Sequence, residues 1–339
     1  MIAGIFIVYM IVLHILQWSN LTYLFGNAVF HVFSFFMFWF FFKSGMFYRE
    51  KLSKDILIGG CKRLIVPFVI FSIVGHLLLC IKLLQEGDYN WMHYVLSPIK
   101  SILLNGSLAG NLPLWFLLTL LAVQLIFNYL SKKVNIWFVV FVGYSIACIL
   151  NMVAIPLPLY FANIALGIAT YGFGYKMKNV LYKNNVFYFG FVVYIVILSL
   201  CYSSIDFRVN QVAKGFYLTA CLYAISGCVI INYLFSLTKV RLKILEYIGR
   251  HSMNYYVMHW PILLLCSIVV GKSTSGWNLF IIMGVSCMCV MPIIELLVYS
   301  FHGEWIFGEK YKKNEIKKYS HFIGNLNVYF ICPSSTGQH

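Results

Sequence analysis

The chain consists of long apolar runs separated by short polar segments, from one end to the other. Each run is continuously apolar over about 20 residues, the length an α-helix needs to cross the hydrocarbon core of a membrane. The strands of a transmembrane β-barrel would alternate instead. The pattern predicts an all-α, polytopic transmembrane bundle of about ten helices, at residues 2–18, 28–47, 64–84, 113–130, 135–151, 157–175, 186–203, 214–236, 247–270 and 277–300.

Composition supports this class and excludes others. Hydrophobic residues make up 61% of the chain and charged residues only 10%, whereas a soluble domain carries roughly 25% charged residues. The net charge of +15 lies between the apolar runs and forms no basic face with interleaved aromatics, so we expect no nucleic-acid partner. The ten cysteines are scattered without a CxxC pair, so we expect neither disulfides nor a metal site.

The lysines and arginines predict the orientation. With the N-terminus inside, the inner segments and their membrane edges hold 20 of the 25 basic residues. This asymmetry follows the positive-inside rule and predicts that both termini are cytoplasmic. The sequence then divides into a transmembrane domain, residues 1–301, and a basic cytoplasmic tail, residues 302–339, which we expect to lie against anionic lipids of the inner leaflet. An apolar piece between spans three and four, from Trp91 to Leu104, is predicted to be an interfacial helix.

The ninth span carries an unusual stripe of polar side chains. With a period of 3.6 residues, Ser252, Tyr255, Tyr256 and His259 fall on one side of a helix. A histidine is costly to bury in an apolar segment, so it usually faces a partner, water or a ligand. His259 is therefore either hydrogen-bonded to a neighbouring helix or part of a reaction site.

A second histidine, His14, lies near the end of the first span, with Gln17 one turn later. His14 and His259 lie at similar distances from the inner ends of their spans, roughly 20 Å by helical rise. The two side chains could meet in the middle or outer part of the bundle. The alternative is two unrelated hydrogen bonds between helices.

Five short motifs occur in a fixed order along the chain. They are Gly4 followed ten residues later by His14, Phe40-Phe-Phe-Lys-Ser-Gly45, Lys62-Arg-Leu-Ile-Val-Pro67, Leu114-Trp-Phe-Leu117, and the set Ile248, Gly249, Ser252, Tyr256 and His259. Together with ten helices they resemble the membrane-bound acyltransferase 3 family, especially its fucose O-acetylase-like branch, over about residues 1–300. Two positions depart from the family pattern: Ala3 replaces a basic residue, and Phe35-Phe-Met-Phe38 replaces Phe-His-Met-Pro.

The resemblance implies transfer of an acyl group, usually acetyl and otherwise succinyl, from acetyl-coenzyme A to a hydroxyl of a cell-surface or lipid-linked carbohydrate. It implies a multi-pass protein of a bacterial plasma membrane. His14 is expected to act as general base or acyl carrier. His259 and Tyr256 are expected to position it or to stabilise the oxyanion.

Coenzyme A carries several phosphates, so its binding site is expected to be cationic and to face the cytoplasm. The candidates are Arg63, Lys62 and Arg250, with Arg49 and Arg241 behind them. Glu295 could pair with one of these cations, although a structural salt bridge is the simpler role for it. Two other functions stay open: a transporter or flippase of a lipid-linked sugar, and an inactive family member that scaffolds polysaccharide synthesis.

Overall fold

A computed structural model describes residues 1–26, 28–153, 158–271 and 274–309, and α-helices account for most of them. The α-helices in chain order are α1 Ile2–Trp18, α2 Ala28–His31, α3 Phe36–Met46, α4 Ser53–Gly60, α5 Val66–Gln85, α6 Trp91–Asn105, α7 Trp115–Leu130, α8 Ile136–Val153, α9 Leu159–Ala162, α10 Ile164–Met177, α11 Asn184–Leu200, α12 Tyr217–Leu237, α13 Lys243–Arg250, α14 Ser252–Val270 and α15 Gly276–Ser300. Each of the ten predicted spans contains one or more of these helices.

Within the described part of the chain, seven helical stretches are long and apolar enough to cross a membrane by length and composition. They are Val29–Met46, Ser53–Gln85, Trp91–Leu130, Ile136–Val153, Tyr217–Leu237, Ser252–Val270 and Gly276–Ser300. Two shorter apolar helices, α1 and α11, accompany them. The predicted class, an all-α polytopic membrane bundle, is confirmed.

Helix α10 lies at the centre of the bundle, packed against α3, α7 and α8. Its backbone approaches that of α3 closely at two glycines. A Cβ on Gly45 would collide with the carbonyl oxygen of Tyr171, and a Cβ on Gly174 would collide with the carbonyl oxygen of Phe42. Glycine permits this approach because it has no side chain between the two backbones. Close packing of this kind holds helices together in a membrane, since the apolar lipid tails supply little hydrophobic force between them.

The second predicted span is not one continuous helix. Residues 32–35 form turns between α2 and α3, and such a break frees backbone carbonyls that must find other donors inside a membrane. Three tyrosine hydroxyls from other helices donate to three consecutive carbonyls at the break. The pairs are Tyr9 with Phe30 at 2.6 Å, Tyr223 with His31 at 2.6 Å and Tyr194 with Val32 at 2.8 Å.

The eighth and ninth predicted spans also differ from the structure. The ninth span is interrupted at His251, where α13 ends and α14 begins. A hairpin of β1 (Ser204–Asp206) and β2 (Gln211–Lys214) precedes α12, so the eighth span starts at Tyr217 instead of residue 214. The polar stripe of the ninth span survives because all its members lie within α14. The helix predicted from Trp91 is present as α6.

Loops predicted to lie on the same side of the membrane meet in the structure. At one end, here called the inner end, the hydroxyl of Tyr48 donates to Asn128 at 2.9 Å and Lys132 donates to the carbonyl of Lys51 at 2.8 Å. At the opposite, outer end, Asn163 donates to the carbonyl of Arg208 at 2.9 Å. The grouping of the loops agrees with the predicted topology, and the placement of the inner end in the cytoplasm stays a prediction.

The bundle continues past the predicted domain boundary at residue 301. A 3₁₀ segment, Glu304–Phe307, turns back to the inner end, and the buried ring of Phe307 stacks on Phe71 with centroids 5.7 Å apart. Glu309 accepts a hydrogen bond from the hydroxyl of Tyr299 at 2.8 Å. Residues 310–339 of the predicted tail lie outside the described residues.

Candidate active site

The structure brings the two predicted histidines together. The imidazole of His14 on α1 and that of His259 on α14 stack with centroids 5.3 Å apart and planes 21° from parallel. The ring of Trp260 stands edge-on against His14, with centroids 5.1 Å apart. Charge is costly in such an apolar site, and a second imidazolium would repel the first, so the pair holds at most one added proton.

His259 is held in one orientation. Its Nδ1–H donates to the carbonyl oxygen of Tyr256 at 2.6 Å, because a carbonyl can only accept. The side chain is fully buried, and its Nε2 has no hydrogen-bond partner among the described residues. A buried nitrogen without a partner is unfavourable, so Nε2 is poised to accept a proton or a hydrogen bond from a substrate.

Tyr256 has less freedom than the sequence suggested. Its hydroxyl donates to the carbonyl of Pro113, and its ring lies against Phe116 with centroids 5.6 Å apart. The hydroxyl hydrogen is therefore already used and is not directed at an oxyanion. The expected roles of Tyr256 were to position His14 or to stabilise the oxyanion, and the contact that it makes is instead to His259, through its carbonyl.

A large cavity of about 1330 Å³ opens at the inner end of the bundle. Four of the five cations predicted to bind coenzyme A line it: Arg49, Lys62, Arg63 and Arg250. Lys51 adds a further positive charge, and the lining carboxylates are Asp55 and Glu309. The electrostatic balance therefore favours an anionic occupant.

Arg241, the fifth candidate, does not line this cavity. Its side chain is exposed, and its Nε lies 3.9 Å from a carboxylate oxygen of Glu246. An exposed ion pair of this kind contributes little to stability. The structure thus separates Arg241 from the other four candidates.

Lys62 and Arg63 lie in a π-helical turn, Cys61–Ile65, between α4 and α5. Pro67 near the start of α5 has no N–H to donate to the carbonyl of Arg63, so the regular α-helical pattern cannot run through this point. Turns of this type are frequent at functional sites because the extra residue redirects side chains. Here the turn presents two cations to the cavity.

Among the cavity residues that sequence reasoning missed is Gln124 on α7. It lines the cavity one turn away from Leu120 and makes no hydrogen bond to any described residue. A glutamine in an otherwise apolar helix was the available signal, since an amide in a membrane span requires a partner.

The cavity leads toward the histidines. Met253 on α14 lines the cavity, and His259 lies six residues further along the same helix, about 9 Å by helical rise. On α7, Leu120 lines the cavity, while Phe116 one turn further out contacts Tyr256. A ligand with an extended arm could therefore place its head at the cations and its end near the imidazoles.

A buried carboxylate adjoins the cavity. Glu295 is fully buried and accepts hydrogen bonds from the Tyr247 hydroxyl at 2.7 Å, Asn254 Nδ2 at 2.6 Å and His251 Nδ1 at 2.9 Å. Among the described residues Glu295 pairs with none of the candidate lysines and arginines; its partner is His251, in agreement with the structural role named above as the simpler one. His251 lines the cavity and joins the α13–α14 break to α15.

Metal ligands do not cluster in the described part of the chain: no group of three or more His, Cys, Asp or Glu side chains there could hold an ion. The residues gathered around the cavity and the imidazoles are cationic, aromatic and amide groups. They suit recognition of an organic anion and proton transfer.

Fold and site together define a class: a polytopic α-helical membrane protein with a histidine pair inside the bundle and a cation-lined cavity at one end. A protein-family profile described as an acyltransferase domain, acyltransferase 3, matches residues 2–296. The chain belongs to this family and is a membrane acyltransferase. Comparisons with curated proteins and with solved structures return no match. Family membership favours acyl transfer over the transporter alternative.

Proposed function

We propose that this acyltransferase moves an acetyl group from acetyl-coenzyme A, bound at the inner end, to a hydroxyl of a cell-surface or lipid-linked carbohydrate, as in the fucose O-acetylase-like branch of the family. The observation that carries the proposal is the position of the cation-lined cavity, about 9 Å by helical rise below the histidine pair.

The cavity fits the donor in charge and size. Coenzyme A has a phosphorylated nucleotide head, and arginines bind phosphate through charge-assisted, bidentate hydrogen bonds. Arg49, Arg63 and Arg250 supply these groups. The cavity volume of about 1330 Å³ exceeds the roughly 300–1,000 Å³ typical of small-ligand pockets, as a coenzyme of this size requires.

The pantetheine arm of the donor is long, narrow and carries two amides. Gln124 presents an amide with both donor and acceptor groups and makes no hydrogen bond to any described residue. We assign Gln124 to pairing with an amide of the arm. The thioester at its end then lies toward His14 and His259.

The histidines supply the acid–base chemistry. His14 removes the proton from the attacking carbohydrate hydroxyl, whose oxygen forms the new ester bond as the carbon–sulfur bond breaks, and the proton passes to the leaving thiolate. In a two-step variant, His14 carries the acyl group between the two substrates. His259, fixed by Tyr256, orients His14 by ring stacking, and its Nε2 accepts a hydrogen bond from the substrate.

The outer side of His14 suits a sugar acceptor. Trp260 contacts His14, and Trp18 contacts Trp260 with centroids 5.6 Å apart. Aromatic rings bury apolar surface well, and the C–H faces of a sugar ring offer such surface. Lys82 lies over Trp18 at 4.8 Å and adds a positive charge that suits a phosphate-linked sugar.

Membranes from cells that express the protein, supplied with acetyl-labelled acetyl-coenzyme A, test the proposal. We expect label in the carbohydrate fraction for wild type and for the control His93→Ala, which removes an exposed histidine of α6, and background label for His14→Ala. Labelling by His14→Ala at the wild-type level would overturn the role of His14. Absence of label in wild type would favour an inactive scaffold, and label only outside carbohydrate would overturn the acceptor class.

A further inference from the structure

A proline interrupts the hydrogen bonding of α14 beside His259. In an α-helix each N–H donates to the carbonyl four residues earlier. Pro261 has no N–H, so the carbonyl of Val257 loses its regular donor. Val257 is fully buried, and a buried carbonyl without a donor is unfavourable.

Asn111 supplies the missing donor. Its Nδ2 lies 3.1 Å from the carbonyl oxygen of Val257 and 3.4 Å from that of Phe71 on α5. Asn111 is fully buried and belongs to a 3₁₀ segment, Ala109–Leu114, in which it alone has non-helical dihedrals, φ −154° and ψ 70°. The backbone leaves helical geometry at Asn111, and the side-chain amide of Asn111 donates the hydrogen bond that a backbone N–H would donate to Val257 in a regular helix.

The same 3₁₀ segment holds α14 at a second point. The hydroxyl of Tyr256 donates to the carbonyl of Pro113, and the carbonyl of Tyr256 receives Nδ1–H of His259. The two ties involve adjacent residues of α14, Tyr256 and Val257, in the turn that leads to His259. The segment therefore fixes both the height and the rotation of this turn.

We infer that Asn111 is a positioning residue: it gives the Val257 carbonyl the hydrogen bond that Pro261 cannot give, and thereby holds the turn of α14 that aims His259. The inference rests on the proposed function only where acetyl transfer is the readout. The contribution of the hydrogen bond between Asn111 and the Val257 carbonyl can also be measured from the thermal midpoint of unfolding.

Asn111→Leu keeps the size of the side chain and removes its donor. We expect kcat for acetyl transfer to fall about tenfold or more, because small misplacements of reacting groups are costly. KM for acetyl-coenzyme A should stay within about twofold, because Asn111 does not line the donor cavity. A smaller fraction of folded enzyme would also lower the apparent kcat at unchanged KM, so kcat is expressed per folded enzyme, with the folded fraction measured by size-exclusion chromatography of the purified protein.

Rescue by a second substitution gives the sharper test. Pro261→Ala returns a backbone N–H to the Val257 carbonyl. The double variant Asn111→Leu/Pro261→Ala should therefore recover most of the kcat and of the thermal midpoint of the purified protein. Pro261→Ala alone should stay near wild type in both measurements. If Asn111→Leu does not accumulate, recovery of folded protein in the double variant is the same test. Asn128→Leu, which removes another fully buried asparagine at the inner end, should not be rescued by Pro261→Ala.

Three results would overturn the inference: wild-type kcat in Asn111→Leu, an Asn111→Leu/Pro261→Ala protein as impaired as Asn111→Leu, or inactivation by Pro261→Ala alone. If wild type itself transfers no acetyl group, the proposed function fails. The thermal midpoints of wild type, Asn111→Leu, Pro261→Ala and the double variant then test the hydrogen bond between Asn111 and the Val257 carbonyl without any activity measurement.

Discussion

Gly4 and Gly249 face each other where α1 meets α13, and His14 and His259 each follow ten residues later. A Cβ on Gly249 would lie 3.0 Å from the backbone nitrogen of Gly4. On α1 the ten residues from Gly4 to His14 rise about 15 Å. The segment from Gly249 to His259 contacts α1 at both of its ends although its helix is interrupted at His251, and the two imidazoles therefore meet. The close approach of the backbones gives both motif glycines a physical reason.

His259→Asn tests which nitrogen of His259 matters. The asparagine amide can still donate to the Tyr256 carbonyl but offers nothing in place of Nε2, the ring nitrogen without a partner among the described residues. We expect kcat for acetyl transfer to fall about 100-fold or more, the usual size of a lost acid–base contribution. His93→Asn makes the same substitution at an exposed histidine of α6, and it should leave kcat near the wild-type value. Retained activity in His259→Asn would show that His259 only holds the Tyr256 carbonyl.

Charge reversal tests the cavity as the donor site. Arg63→Glu and Arg250→Glu place a carboxylate in the cavity lining, and we expect KM for acetyl-coenzyme A to rise at least about tenfold, the effect of one lost charge-assisted contact. Arg241→Glu makes the same chemical change on an arginine outside the lining. Its KM should stay within about twofold of wild type. Equal effects at all three positions would mean that overall surface charge attracts the donor instead of this cavity.

Sequence alone predicted the helices from apolar length, and helical rise showed that the two histidines could meet, with two unrelated hydrogen bonds as the alternative. It did not predict the break at residues 32–35, because the three tyrosines that compensate it lie on α1, α11 and α12. The partner of Glu295 was missed for a similar reason. His251 reaches it only because the chain leaves helical geometry between α13 and α14.

Asn111 and Gln124 also show which features the sequence predicts and which depend on helix packing. Each is a polar residue in an apolar context, which signals a need for a partner. The identity of the partner depends on which helices pack together, and no periodicity of the chain contains that information.

Gln124→Leu tests recognition of the pantetheine arm. It removes the amide but keeps similar volume, so we expect KM for acetyl-coenzyme A to rise about fivefold to tenfold, equivalent to one net hydrogen bond. Transfer from the acetyl thioester of 2-mercaptoethanol, which lacks both amides of the arm, should change much less. Gln85→Leu, a matched change at an exposed glutamine of α5 that does not line the cavity, is the control. An equal loss with both donors would indicate a packing defect of α7 instead.

Glu295→Leu tests the buried carboxylate. The substitution leaves the donors of Tyr247, Asn254 and His251 without their acceptor, and breaking a buried ionic network of this kind costs about 3–5 kcal/mol. We expect a clear drop in the thermal midpoint of the detergent-purified protein. Glu50→Leu removes an exposed carboxylate 3.8 Å from Lys132 and should cost less than about 1 kcal/mol. Similar midpoints for the two variants would contradict a structural role for Glu295.

Gly45→Ala tests the contact between α3 and α10. The added Cβ meets the carbonyl oxygen of Tyr171, a backbone atom that cannot rotate away, so the two helices must separate. Overpacking of this kind typically costs about 1–3 kcal/mol, and we expect a lower thermal midpoint. Because Ser44 and Phe47 on either side of Gly45 line the cavity, the displacement should also raise KM for acetyl-coenzyme A. Gly284→Ala on α15 is the control: no atom lies within 4 Å of its added Cβ, and replacing a helical glycine stabilises by about 0.5–1 kcal/mol. A midpoint for Gly45→Ala as high as that of Gly284→Ala would mean that α3 and α10 do not pack as closely as described.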